Sequence, residues 1–230
     1  MLCSDRRHAR RQDIDVFAGA VRLSGTLSTP AEASGLVVFA HGSGSSRASP
    51  RNQLVAGYLN DARLASLLFD LLTPAEQAAR ANVFDIDLLG GRLADATRWI
   101  ADQAAVSGLP IGYFGASTGA AAALWAATES DLDVRAIVAR GGRPDLAEDR
   151  LSHVVAPTLL IVGGRDSNVL TLNWRAARRV RAQCRVAVVP GATHLFEEPG
   201  TLQAAAELAC EWFARHLDHA ATPEHRRRSR

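Results

Sequence analysis

Six short apolar runs recur along the chain, each rich in Val, Ile or Leu: "GLVVFAHG" from Gly35, "ASLLFDLL" from Ala65, "LPIGYFG" from Leu109, "VRAIVARGG" from Val134, "APTLLIVGG" from Ala156 and "RVAVVPG" from Arg185. They are continuous rather than alternating, which is the pattern of strands buried on both faces of a parallel sheet. Helical patterns lie between them. Ser49-Pro50 is a helix start, with proline at the first helical position. Leu89, Leu93, Ala96 and Ile100 share one helix face, and so do Leu202, Ala206, Ala209 and Phe213.

The beginning differs. "DIDVFAGAVRLSGTLSTP" predicts two strands around a glycine-containing turn, an antiparallel hairpin leading into the sheet. Strand and helix alternate after it, which predicts a doubly wound α/β sheet. The expected organisation is one domain over residues 13–218, between a flexible basic segment at 1–12 and a disordered basic tail at 219–230.

Composition narrows the chemistry. The 230 residues are 47% hydrophobic, enough for a sizeable core, and no run is long and apolar enough to span a membrane. "MLCSDRRHARRQD" lacks the apolar stretch of a secretory signal, so a cytoplasmic location is expected. Cys3, Cys184 and Cys210 are too scattered for a disulfide framework or a zinc site, and no metal or cofactor is expected. All 26 basic residues counted as Lys or Arg are arginine, which excludes Schiff-base lysine chemistry. The net charge is +2, and the basic cluster "HRRRSR" is expected to be a solvated tail, so neither nucleic acid nor membrane is an expected partner.

Ser117 carries the candidate chemistry. It follows the strand "IGYF", precedes an alanine-rich helix, and stands in G-x-S-x-G with Gly115 and Gly119. A sharp strand-to-helix turn would push its side chain into an exposed, strained position, and residues two before and two after must be tiny to avoid collision. The bland alternative is a serine capping the helix. What separates the two is the presence of partners, since an unactivated serine is a weak nucleophile.

The order expected on such a sheet is Ser, acid, His, each after a strand. "LLIVGGRDSN" supplies Asp166 and "VVPGATHLFEEPG" supplies His194; Asp145, after the preceding strand, is the alternative acid. Asp70 is expected to brace the site or cap a backbone amide, and Glu197 and Glu198 to start the last helix. His153, His216, His219 and His225 are expected on the surface, and His8 in the N-terminal segment.

An oxyanion needs two donors. The expected ones are the backbone N–H of Thr118 and that of Ser43, with Gly44 next, from the loop "HGSGSSRASPRN"; His41 is expected to fix that loop by hydrogen bonding. The same loop partly matches a dinucleotide-binding fingerprint, but Arg47 occupies the third glycine position. Arg47 and Arg140 are candidates to receive a substrate carboxylate, the alternative being structural arginines bonded to loop carbonyls or to Asp145.

Taken together, "HGSGSSRASPRN", "GYFGASTGAAAALWAA", "ARGGRPD", "LLIVGGRDS" and "VPGATHLFEEPG" resemble the α/β-hydrolase superfamily, and within it the dienelactone-hydrolase-like small serine hydrolases, from about Ile14 to Leu217. The resemblance implies an α/β-hydrolase fold with a mostly parallel sheet of about eight strands and the triad Ser117, Asp166 and His194. Fewer than twenty residues separate Ala139 from Pro157, too few for a helical cap domain. Dienelactone hydrolases proper use a cysteine nucleophile; with Ser117 in its place, hydrolysis of small carboxylic esters becomes the expectation. Thioester or lactone hydrolysis, acyl transfer with the same triad, and a non-catalytic ligand-binding role are the alternatives.

Overall fold

The computed structural model describes residues 9–217. The expected flexible ends therefore lie largely outside the described residues, with one exception. Arg10–Gln12 already belong to the first strand, because β1 (Arg10–Ala18) pairs along its whole length with β2 (Val21–Thr29), Arg10 opposite Thr29. The two form the predicted antiparallel hairpin.

The remaining strands are β3 (Gly35–Ala40), β4 (Leu64–Phe69), β5 (Ile111–Ala116), β6 (Val134–Arg140), β7 (Thr158–Gly163) and β8 (Cys184–Val189). They build an eight-stranded sheet in the order β1-β2-β4-β3-β5-β6-β7-β8, parallel from β4 to β8. All six apolar runs are strands, and β3, β4 and β7 are buried at every position, as helices on both faces require.

The helices are α1 (Pro50–Asp61), α2 (Pro74–Ala78), α3 (Ile86–Ala101), α4 (Thr118–Ala126), α5 (Ser167–Ala177) and α6 (Thr201–His216). On one face α1 packs against α6, and Val55, Leu59, Trp212 and Phe213 join Phe39 and Phe114 of the sheet in one core. On the other face α3 and α4 cover a second core that includes Leu89, Leu93, Ala96, Ile100 and Tyr113. Burying each large apolar side chain contributes roughly 1.5–3 kcal/mol. The close approach of α6 leaves no space over Gly112, where a Cβ would come 2.7 Å from Phe213.

Several local expectations shift. α6 begins at Thr201 after Gly200 (φ 80°), not at Glu197 or Glu198; Glu198 instead accepts the Thr193 amide (3.0 Å) and Glu197 pairs with Arg51 (3.4 Å). His216 is not a free surface residue, since its ring lies against Trp212 with centroids 4.6 Å apart. His153 is exposed as expected, while Cys3, His8, His219 and His225 fall outside the described residues. α2 is an additional element, started by a capping box in which Thr73 Oγ1 accepts the Glu76 amide (3.2 Å) and Glu76 accepts the Thr73 amide (2.9 Å). Between β6 and β7 there is only a 3-10 segment, Pro144–His153. No helix among the described residues is long and apolar enough to cross a membrane.

The order of β4, β3 and β5 places a topological switch between β3 and β5, where the chain leaves one side of the sheet and resumes on the other. Open parallel sheets bind their ligands at the carboxyl ends of the strands at such a point. Two glycines test how tightly the layers fit. Gly163→Ala would put a Cβ 2.4 Å from the backbone oxygen of Ala192, and is expected to lower stability in urea by ~1–3 kcal/mol. Gly57→Ala, inside α1 with nothing within 4 Å of its Cβ, is expected to raise it by ~0.5–1 kcal/mol. Equal midpoints for the two variants would contradict this packing.

Candidate active site

β5 runs into α4 through a single residue, Ser117, at φ 52° and ψ −119°. That backbone conformation is strained for a residue with a side chain. The turn is tight because α4 must start directly over the strand end. A Cβ on Gly119 would lie 2.1 Å from Ala40 O, and one on Gly115 would lie 2.5 Å from Ala120 Cα. The strain is held by the hydrogen bonds Ser117 N–H to Arg140 O (3.2 Å), Ala120 N–H to Ser117 O (3.1 Å) and Arg143 N–H to Ser117 O (3.0 Å). The Ser117 side chain makes no capping bond to α4, so its hydroxyl is not spent on the helix. It faces His194 Nε2 instead, at 3.4 Å.

His194 and Asp166 come from the loops after β8 and β7. These loops are laced together: Arg165 N–H donates to Ala192 O (2.9 Å) and Gly164 N–H to Val189 O (2.9 Å), while Asp166 N–H closes a turn within the β7 loop on Gly163 O (3.0 Å). With the two loops fixed, His194 Nδ1 lies 2.7 Å from Asp166 Oδ2. Phe196, two residues on, is buried at φ 57° and anchors the far side of the histidine loop. Asp145 is occupied elsewhere, taking both Arg143 Nε (2.9 Å) and Nη2 (2.8 Å) in a bidentate pair.

The loop after β3 lies against the elbow; a Cβ on Gly42 would be 3.0 Å from Ser117 Cβ. His41 is buried beneath it. Its Nε2 accepts the Leu71 amide (3.0 Å), which leaves the proton on Nδ1 to donate to Gly42 O (3.0 Å). Burial lowers its pKa, so it stays neutral, and with both nitrogens engaged it is a strut. Asp70 accepts the Arg47 amide (2.8 Å), the bracing role expected of it.

The Ser43 amide departs from expectation. It donates to Thr118 Oγ1 at 2.8 Å, so its hydrogen is directed at a side chain and not at the space above Ser117. The cause is the threonine after the nucleophile, a buried hydroxyl that ties the β3 loop to α4. Thr118 N–H, at the start of α4, is then the backbone donor next to the elbow, and Gly44 follows Ser43 in the β3 loop. Sequence reasoning missed this tie because it weighed Thr118 only for its amide. Between Ser43, Gly44 and the α2–α3 region runs a cleft with an apolar wall of Leu72, Val83 and Leu89 and a polar residue, Gln77.

The two candidate arginines have different fates. Arg47 is engaged through two of its nitrogens: Nη1 bonds Thr26 Oγ1 (3.0 Å) and Asp13 (3.3 Å), and Nε pairs with Asp70 (3.5 Å). Those contacts pin the loop to the sheet and account for its charge. Arg140 does not bond Asp145 or loop carbonyls; it turns inward toward Asn52, its Nη2 3.4 Å from Asn52 Oδ1.

The comparisons with known proteins agree with this architecture. A dienelactone hydrolase from Anabaena variabilis is 50% identical with a TM-score of 0.89, covering 91% of this chain and 99% of that one. Est1E from Butyrivibrio proteoclasticus has a TM-score of 0.73 at 15% identity (88% and 99% covered), and a dienelactone-hydrolase-like promiscuous phosphotriesterase from metagenomic libraries has 0.72 at 20% (91% and 99%). At those identities the likeness is one of fold. In two strains of Mycobacterium tuberculosis, proteins with the provisional name phosphoribosyl transferase are 61% identical over 208 residues, which is 90% of this chain but 47% of theirs. The chain thus spans about half the length of the curated relatives it matches. No family model matches it.

The tie between Thr118 and Ser43 has a measurable worth. Thr118→Val removes the acceptor and strands a part-buried amide, and is expected to cost ~1–3 kcal/mol in denaturant unfolding. Thr118→Ser keeps the oxygen and should recover most of that loss. An unchanged midpoint for Thr118→Val would show that the hydrogen bond contributes nothing measurable.

Proposed function

The chain belongs to the dienelactone-hydrolase-like branch of the α/β-hydrolase superfamily, and from that membership we propose that it is a serine hydrolase of small carboxylic esters. The observation that carries the reading is the uncapped Ser117 hydroxyl on a strained turn, facing a histidine whose other nitrogen is held by a carboxylate at 2.7 Å.

In the proposed mechanism His194 Nε2 takes the Ser117 proton as Oγ attacks the ester carbonyl carbon. The separation of 3.4 Å is long for a hydrogen bond, and such contacts tighten when substrate binds. Asp166 holds the proton on Nδ1 and stabilises the imidazolium that forms. Thr118 N–H and the positive end of α4 receive the oxyanion, with Gly44 rather than the engaged Ser43 amide as the second donor. The leaving alcohol takes the proton from Nε2. Water, deprotonated by His194, then releases the acid from Ser117.

The cleft beside the β3 loop is narrow, with about 10 Å³ open among Leu72, Val83, Leu89, Asp70 and Gln77, which supports small esters over bulky ones. Thioesters and lactones present the same carbonyl to the same groups. The transferase name of the curated relatives belongs to proteins about twice as long, and nothing about Ser117, His194 and Asp166 calls for phosphoribosyl transfer.

A fluorophosphonate probe is expected to leave one adduct, mapped by mass spectrometry to Ser117. Against a panel of short-chain esters, Ser117→Ala is expected to lower kcat by about 10⁶ and Asp166→Asn by about 10⁴. A Ser117→Ala enzyme within about tenfold of wild type, ~1.4 kcal/mol in barrier, would sink the assignment.

A further inference from the structure

The two edges of the sheet differ in how they meet water. β1 closes one side and carries Arg10, Arg11, Asp13 and Asp15 at exposed positions. Charges at that density keep another strand from adding to an edge. β8 closes the other side with Cys184, Val186 and Val188 and a single charge, Arg185. Val188 is 41% exposed, and among the described residues β8 pairs with β7 alone.

Backbone hydrogen bonds fix which groups of β8 point outward. Thr158 N–H donates to Gln183 O (2.8 Å) and Gly164 N–H to Val189 O (2.9 Å). Successive residues of a strand turn their N–H and C=O to opposite neighbours, so 183, 185, 187 and 189 face β7. The N–H and C=O groups of Cys184, Val186 and Val188 therefore point away from the sheet. Their side chains lie on the α5 side, where Cys184, Val186 and Ala177 pack around one small core with Leu160. Trp174 stands one turn before Ala177 on the same helix face and is 50% exposed. α5 runs against the direction of the parallel strands, which sets Trp174 toward the Val188 end of β8. A half-exposed indole and two valines thus border an open strand edge.

We propose that this edge is a homodimer interface, in which two copies pair their β8 strands antiparallel about a two-fold axis at Val186. The backbone selects that register. With Val186 facing its own copy, Cys184 faces the second copy's Val188, and every outward group finds a partner: three pairs of two hydrogen bonds, six in all. A slip of two residues one way sets Pro190, which has no N–H, opposite Cys184; the other way it sets Val188 opposite Ala182, before the strand begins. In the chosen register apolar side chains meet each other, and Arg185 stands opposite Ala187 rather than another charge. Pairing of β8 with β1 of a further copy would build an open filament, and the charges of β1 oppose it. Because the joined strands are antiparallel, the two Ser117 elbows lie toward opposite ends of the dimer.

Arg178 and Arg181, both exposed beside this edge, bring like charge from the two copies. Salt screens that repulsion, so the dimer is expected to tighten as salt is added, whereas an acidic partner drawn to the same arginines would be released.

Sedimentation equilibrium of the full chain tests the interface. At about 100 μM, above an expected Kd of ~1–10 μM, most of the protein should have twice the mass of one chain. Val188→Lys restores a guarding charge at an exposed position and is expected to raise Kd at least tenfold, with circular dichroism unchanged. Trp174→Ala should weaken association as well. Amide hydrogen exchange of wild type gives a reading that needs no variant: the Cys184, Val186 and Val188 amides should be protected at high concentration and exchange freely on dilution. A monomer at 100 μM overturns the proposal. So does a dimer indifferent to Val188→Lys, or one that salt dissociates. Protection of the three amides at every dilution would mean that the chain covers its own edge, and overturns it too. None of these readings involves Ser117, so failure of the esterase assignment would leave them unchanged.

Discussion

The whole site depends on how closely α4 can begin over the end of β5. Side chains at residues 115 and 119 would strike Ala120 and Ala40, so only glycine allows the chain to turn within one residue. The cost is concentrated at Ser117, whose positive φ is disfavoured, and it is offset by the Arg140 carbonyl of β6, which accepts the Ser117 N–H, and by the Arg143 N–H, which donates to Ser117 O. The same compression brings the β3 loop against the elbow, because Gly42 also has no room for a side chain. A looser turn would move the hydroxyl out and lose the loop together.

A second close approach sets the base and the acid. Gly163 sits under Ala192 and Thr193, so the exits of β7 and β8 cross in contact and share hydrogen bonds. Asp166 and His194 thereby inherit the spacing of adjacent parallel strands. The sheet acts as a ruler: neighbouring β5, β6, β7 and β8 each present one loop to the same crevice. Preorganisation here comes from backbone contacts rather than from side chains that must each be ordered.

Much of this was legible in the chain. Strands buried on both faces show as continuous apolar runs, and all six runs are strands. Ser117, Asp166 and His194 stood out because each follows such a run, and the structure brings them together. Sequence order alone does not separate Asp166 from Asp145, since both follow strands; the separation comes from Arg143, which is close enough to Asp145 to grip it with two nitrogens. The direction of the Ser43 amide was not legible, because it depends on a hydroxyl 75 positions away in sequence. α2 was legible but missed, its capping box being written in Thr73-Pro74-Ala75-Glu76. Likewise Gly200 marks the start of α6 better than the acidic pair before it, which the structure uses to hold Thr193 and Arg51.

Arg47 and Arg140 show why residue type alone does not assign a role. Both follow parallel strands, Arg47 in the loop after β3 and Arg140 at the end of β6, and sequence treats them alike. Arg47 meets Thr26, Asp13 and Asp70, enough acceptors to absorb its charge and turn it into a loop anchor. Arg140 meets one amide oxygen and an aromatic face, and only its Nε is sealed from water without an acceptor. A guanidinium has five donors and no means of losing its charge at ordinary pH. The difference between a loop anchor and a buried arginine packed on an aromatic ring is therefore set by the acceptors that the fold places within reach.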